Sequence, residues 1–175
     1  MSEREFNKVS PAIWRSRRFT GLTEREKFLF LYLVTNAHVT SGGCYELPDG
    51  YACVDLDWQL GEYREARAAL VTAGLVDVDD GPPVIVLIER WFKHNPPMND
   101  DHAKGAQRRL KEIGSQRLQE KALAAFYAAD VERVKRSMEK AAERDKRAED
   151  RARRAMTAGT NGYGGPAHRG SPHRA

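Results

Sequence analysis

Long hydrophobic runs are missing from this chain of 175 residues. The unbroken apolar stretch Phe28 to Val34 has seven residues, and no other exceeds eight, against the roughly 20 that a bilayer-spanning helix needs. A transmembrane helix is excluded, and no membrane partner is expected. The amino end, Met1-Ser2-Glu3-Arg4-Glu5, lacks the apolar core of a secretory signal, so the expected location is the cytoplasm. Cysteine is scarce. Cys44 and Cys53 are the only two, too few for a disulfide framework or a zinc module. No GxxxxGK[ST] or GxGxxG segment occurs, which excludes a P-loop ATPase. No cofactor, structural metal or catalytic group is expected.

Charge is present in quantity but unevenly spread. Residues 1 to 27 carry 7 basic and 4 acidic side chains, residues 40 to 101 carry 4 and 12, and residues 102 to 154 carry 16 and 9. The net +4 thus conceals basic ends around an acidic middle. A uniformly basic surface is the electrostatic footprint of a nucleic-acid binder, so a nucleic-acid role has to accommodate that middle.

Thr23-Glu24-Arg25-Glu26 has the capping-box spacing, in which the Thr hydroxyl and the Glu carboxylate each satisfy an orphan amide of the first turn. The helix it opens runs through the seven-residue apolar run and is expected to be buried on nearly all sides, with Leu31 in the core. Cys44 to Leu47 fits a short strand, and Pro48 can open a helix near Asp49 to Leu56. From Glu62 to Ala73, Ala66, Ala69, Leu70 and Ala73 fall on one helical stripe, with Gly74 as a stop. Leu75 to Val78 and Val84 to Ile88 are β-branched, and Asp79-Asp80-Gly81-Pro82-Pro83 supplies turn chemistry between them. Together they read as a hairpin. Helix, strand, helix, helix, hairpin is the order of a winged helix, whose third helix is the usual recognition element.

Trp91-Phe92-Lys93-His94-Asn95-Pro96-Pro97 is expected to be extended, because proline disfavours helix at the residue before it. Helical composition returns near His102, and Gly114-Ser115 interrupts it. From Leu118 the chain again reads as helix. Val131, Val134, Met138, Ala141, Ala148, Ala152 and Ala155 keep heptad spacing, but Asp145 sits in the seam and alanine fills most of it, so a solvated single helix is preferred to a coiled coil. Glu132/Arg136, Glu143/Arg147, Glu149/Arg153 and Asp150/Arg154 support that helix as charge pairs. Residues 155 to 175 contain no Leu, Ile, Val or Phe and are one-third Gly plus Pro. Too little can be buried there to offset ordering, and a disordered tail is expected. The organisation is therefore an α+β, mainly helical chain: a winged helix-turn-helix domain with an amino-terminal arm over residues 1 to 100, a helical extension over 101 to 154, and the tail.

Tyr45-Glu46-Leu47-Pro48, Leu60-Gly61, Arg67-Ala68-Ala69-Leu70, Ala73-Gly74-Leu75-Val76 and Trp91-Phe92-Lys93-His94-Asn95-Pro96-Pro97 occur in that order. In order and spacing they resemble the amino-terminal winged-helix domain of phage replisome-organiser proteins, relatives of the DnaD-like primosomal group. The resemblance covers about residues 8 to 128, including the Lys104 to Ile113 helix that follows the Asn-Pro-Pro motif. It implies a role in DNA replication: replication-origin or single-strand binding, self-association, and help in recruiting a replicative helicase. Two departures stand out. The turn after Leu60-Gly61 is one residue shorter, and no second, helicase-contacting domain is recognisable.

If Ala66, Ala69, Leu70 and Ala73 face the core, Arg64 and Arg67 lie on the outer stripe. There they either reach guanine edges or phosphates of DNA, pair internally with Glu62 and Glu65, or meet a protein. The hairpin turn, with Asp77, Asp79 and Asp80 and no cation, should be repelled by a polyanion, which leaves it a subunit contact or a solvated loop. Better phosphate ligands are Arg15, Arg17 and Arg18 beside Trp14 and Phe19, where arginine mixed with aromatics can neutralise phosphate and stack bases. Lys104, Arg108, Arg109 and Lys111 form a second basic set. Arg133, Lys135, Arg136, Lys140, Arg144, Lys146 and Arg147 are interleaved with acids and read as a solvated face. Asn99-Asp100-Asp101-His102 reads as a helix cap rather than a metal site, and Cys44 with His38 as a buried thiol rather than a nucleophile. The expectation is a DNA-binding protein, of duplex or single strands, nucleoid-associated within the cytoplasm. The alternative is a non-catalytic protein-interaction module that docks its acidic centre on a host protein as regulator or inhibitor.

Overall fold

A computed structural model describes residues 7–160. The residues up to Arg133 form one compact unit and those from Val134 a second. Mainly helical with one small antiparallel sheet, the chain is of the α+β class.

A 3-10 turn, Pro11–Arg15, leads into the short helix α1 (Arg17–Thr20) and then α2 (Glu24–Thr35). The capping box at the start of α2 is formed as its sequence implies, with the Glu26 amide donating to the Thr23 hydroxyl at 3.3 Å and the Thr23 amide to the Glu26 carboxylate at 2.8 Å. Leu29, Phe30, Leu33 and Val34 are the buried face of α2. Leu31 is only half-buried and Phe28 is 56% exposed. An apolar run over two turns of helix covers more than the face the core can accept, so part of it meets water.

Strand β1 (Cys44–Glu46) precedes α3 (Asp49–Leu56) and α4 (Leu60–Thr72), and β2 (Val76–Asp79) and β3 (Ile85–Ile88) close the hairpin. The strand order is β1-β3-β2, with Cys44 opposite Leu87 and Val76 opposite Ile88. Between α3 and α4 the turn is Asp57-Trp58-Gln59, where Asp57 takes the left-handed conformation (φ 54°) that Asp tolerates better than most residues. Gly43 (φ +65°) is required for a different reason: a Cβ there would come within 2.2 Å of the Trp91 ring.

Two boundaries differ from the sequence expectation. Trp91–His94 form a short helix, α5, instead of an extended segment. Proline restrains only the residue before it, here Asn95, and leaves the turn upstream free to coil. The helical extension expected from residue 101 is not an appendage over its first part. From α6 (Asp100–Lys111) Ala103, Ala106 and Leu110, and from α7 (Gln116–Thr160) Leu118, Ala122 and Phe126, enter the same core as Leu29, Tyr45 and Val86. Phe126 packs edge-on against Phe92 at 5.5 Å between centroids.

In the second unit, α7 continues as helix to Thr160, past the 155 boundary drawn from composition. Every side chain described from Val134 to Met156 is exposed, and Glu143 pairs with Arg147 at 2.5 Å one turn on. The tail expected over the remaining positions, 161–175, lies outside the described residues.

Candidate nucleic-acid interface

Half of the twelve carboxylates in the acidic middle are held in ion pairs within the first unit. Asp49, in the first turn of α3 and 8% exposed, accepts from Arg64 Nε at 2.7 Å and from Arg67 Nη1 at 2.6 Å. Arg67 also pairs with Asp80 of the hairpin turn, and its guanidinium lies over the Tyr63 ring at 5.4 Å. Spaced one turn apart on α4, the two arginines converge on one carboxylate placed where a helix N-terminus favours negative charge. Arg64 is correspondingly held above its ordinary pKa, first by the hydrogen bond it donates to Asp49 and then by the charge of that carboxylate.

At the sheet edge, Arg117 and Lys121 of α7 reach back to β2. Arg117 donates to Asp77 at 2.8 Å and to the Val78 carbonyl at 2.9 Å, while Lys121 bridges Asp77 at 2.7 Å and Glu89 at 2.5 Å. Burial pushes the Asp77 carboxyl up, but the hydrogen bonds from Lys121 and Arg117 outweigh it and hold the group below its usual range. Asp79 accepts from the Ser115 hydroxyl and the Gly81 amide. Glu62 is taken by Arg25 at 2.8 Å and Asp100 by Arg133 at 2.8 Å. Of the hairpin's acids, Asp77 and Asp79 are half-buried and engaged, while Asp80, paired with Arg67, remains 71% exposed.

These pairings correct the expectation for α4. Arg67 is 6% exposed and belongs to the buried face with Tyr63, Ala66 and Leu70, not to the outer stripe. It cannot meet DNA without opening the fold. Arg64 is exposed but committed to Asp49, and the carboxylates that hold both arginines are Asp49 and Asp80, not Glu62 and Glu65.

The basic ends are placed differently. Lys104, Arg108 and Lys111 are exposed on α6 at spacings of four and three, so they share one stripe opposite Ala103, Ala106 and Leu110. None has an ion-pair partner among the described residues. Arg109 is exposed too, but its helical position puts it on another flank. In the amino-terminal segment Arg15 and Arg17 are exposed, and Arg18 donates to the Gly74 carbonyl at 2.9 Å, which ties the segment to the end of α4. Trp14 is 61% exposed and braced edge-on by the buried Phe19 ring at 5.2 Å.

The weaker motifs resolve simply. The Asn99 carboxamide accepts from the His102 amide at 2.8 Å and caps α6. Cys44 is buried, and desolvation pushes its thiol up to about 12, far from a nucleophilic thiolate. His38 stacks on Tyr51 instead. No described helix is long and apolar enough to cross a membrane. Comparison with known protein families, curated proteins and solved structures finds no match to this chain.

Sequence reasoning missed Asp49 as the group that anchors both arginines, and the ledge of Phe28, Trp58 and Arg25, where the guanidinium lies 5.2 Å from the indole centroid. The signal for Asp49 was available. An acid at a helix start opposite two arginines one turn apart on the next helix is a pairing geometry.

Proposed function

We propose that this chain is a DNA-binding protein of the winged-helix type, which grips the phosphate backbone through α6 and the amino-terminal segment. The observation that carries the proposal is the segregation of charge. Six of the twelve carboxylates of residues 40 to 101 (Asp49, Glu62, Asp77, Asp80, Glu89 and Asp100) are paired with arginines and lysines of the same unit, while Lys104, Arg108 and Lys111 stand in an exposed row without an ion-pair partner among the described residues. Like charges at this spacing destabilise a helix by a few tenths of a kcal/mol per pair, a cost that an external polyanion would remove.

The strand order β1-β3-β2 and the three-residue turn between α3 and α4 support a winged helix-turn-helix reading. In this reading α4 is a structural helix, locked by Asp49, and the hairpin is held by α7. Phosphate contacts then dominate over base contacts, which makes the binding strong in its salt dependence and weak in its sequence preference. Trp14, presented beside Arg15 and Arg17, adds a surface on which an unpaired base can stack. The resemblance to phage replisome organisers makes replication initiation in a phage or prophage the setting we propose.

The test is binding of labelled duplex and single-stranded oligonucleotides by the full chain across a salt series. Joint replacement of Lys104, Arg108 and Lys111 by Gln should weaken binding to every sequence. If binding is absent or insensitive to salt, while a protein partner is lost on substitution in the acidic middle, the chain is a protein-interaction module instead.

A further inference from the structure

A cavity of about 210 Å³ lies between the amino-terminal segment and the body of the first unit. Most of its lining surface is apolar, and Val9, Ile13, Phe30, Val34, Leu75 and Ile88 contribute to it. An apolar cavity of about 150 Å³ stays dry and accepts benzene, so this one has room for a slightly larger hydrocarbon body.

The lining also carries charge. Lys8, Arg18, Arg90 and Lys93 all belong to it. Glu89 is the acidic residue among the lining groups, and it is already held by Lys121. Arg90 and Lys93 have no ion pair or hydrogen bond from their side chains among the described residues. Their positive field registers at His94, also in the lining, whose imidazole is held below its ordinary range by burial and then by Lys93 and Arg90.

Arg90 supplies a further sign. It adopts φ 58°, the left-handed region that glycine occupies without cost and other residues avoid. Arg90 thus lines the cavity from a backbone conformation that glycine would adopt at lower cost.

We propose that this cavity is a binding site for an amphipathic anion, one with a short hydrocarbon body seated among Ile13, Phe30 and Ile88 and a carboxylate head held by Arg90 and Lys93. The cavity shares the amino-terminal segment with the proposed DNA surface but none of its lining comes from α6, and the site stands whether or not the chain binds DNA. A cationic head of the same size would meet four like charges against the one carboxylate of Glu89, which Lys121 already holds.

The experiment is calorimetric titration of the full chain with octanoate, and with octylammonium as the counterpart of opposite charge. Octanoate should saturate at one per chain and bind at least tenfold more tightly than octylammonium. Arg90→Gly should weaken octanoate tenfold or more without lowering the melting temperature, because glycine accepts the backbone that Arg90 strains. Ala12→Trp, which places an indole at the cavity wall from an exposed position, should compete with the chain of the ligand and weaken binding similarly. No octanoate binding, equal binding of the two probes, or full affinity in Ala12→Trp would each overturn the proposal. Lys93→Gln guards against a failure of Arg90→Gly to fold: if the chain with Gln at 93 binds octanoate at full strength, the head is not where we place it.

Discussion

The Arg67 guanidinium and the Asp49 carboxylate lie 2.6 Å apart, each side chain less than a tenth exposed, and fasten α4 to the first turn of α3. Removing Arg67 takes one of two partners from the buried Asp49 and leaves it with Arg64 alone, a cost that approaches but stays below the about 3 to 5 kcal/mol of a fully uncompensated buried charge. Arg67→Ala should therefore lower the urea midpoint strongly, and Arg67→Ala with Asp49→Ala together should recover part of the loss. Arg64→Ala, at a far more exposed position, should leave the midpoint nearly unchanged. Equal effects from Arg64 and Arg67 would show that the pair is not buried in solution.

Acid should weaken the contact between α7 and the sheet. Asp77 is held below its ordinary 3.8 by its partners, so the folded state binds this proton less readily than the unfolded chain. That contribution is fully present above pH 3.8 and is lost as pH falls through the lowered folded-state value. Lys121 is held above 10.5, its hydrogen bonds to Asp77 and Glu89 outweighing the burial that opposes them. Its contribution is present below that pH and lost as pH rises through the raised value. Stability measured against pH should fall at both extremes, and Asp77→Asn should flatten the acid limb. An unchanged acid limb would remove Asp77 from the account.

Core substitutions should separate neighbours on α2. Leu33 is fully buried, and Leu33→Ala should cost about 2 to 5 kcal/mol. The half-buried Leu31 should cost clearly less.

Much of the scaffold was legible from local chemistry. The Thr23 capping box, the β-branched hairpin and the Asn99 cap are all decided within four or five residues of chain, and all appear where the pattern puts them. Long-range partners were not. Asp49 and Asp80 lie 18 and 13 residues from Arg67, beyond the reach of the periodicity that assigned it to the wrong face; finding Asp49 required reading the preceding helix start as a partner for α4. Leu31 went astray similarly, since an unbroken apolar run has no periodicity to say which side the core will choose. The acidic hairpin looked hostile to DNA because its counter-charges, Arg117 and Lys121, lie about forty residues downstream.

The chain should also tolerate loss of its second unit as far as folding is concerned. Core side chains end within the first unit, the last being Phe126 with Ala129 packed against it. A protein ending at Arg133 should melt at the same temperature as the full chain, by differential scanning calorimetry. A large drop would mean that the solvated part of α7 contributes to the core.

The most direct measurement is the slope of log binding constant against log salt for the full chain on duplex DNA, between about 50 and 200 mM. The account predicts a steep negative slope that becomes shallower by about 2 to 3 when Lys104, Arg108 and Lys111 are replaced by Gln, since each phosphate contact contributes about 0.9. It also predicts that Arg64→Ala leaves the slope where it was. A flat slope in the native chain, or a triple substitution that leaves the slope unaltered, would contradict it.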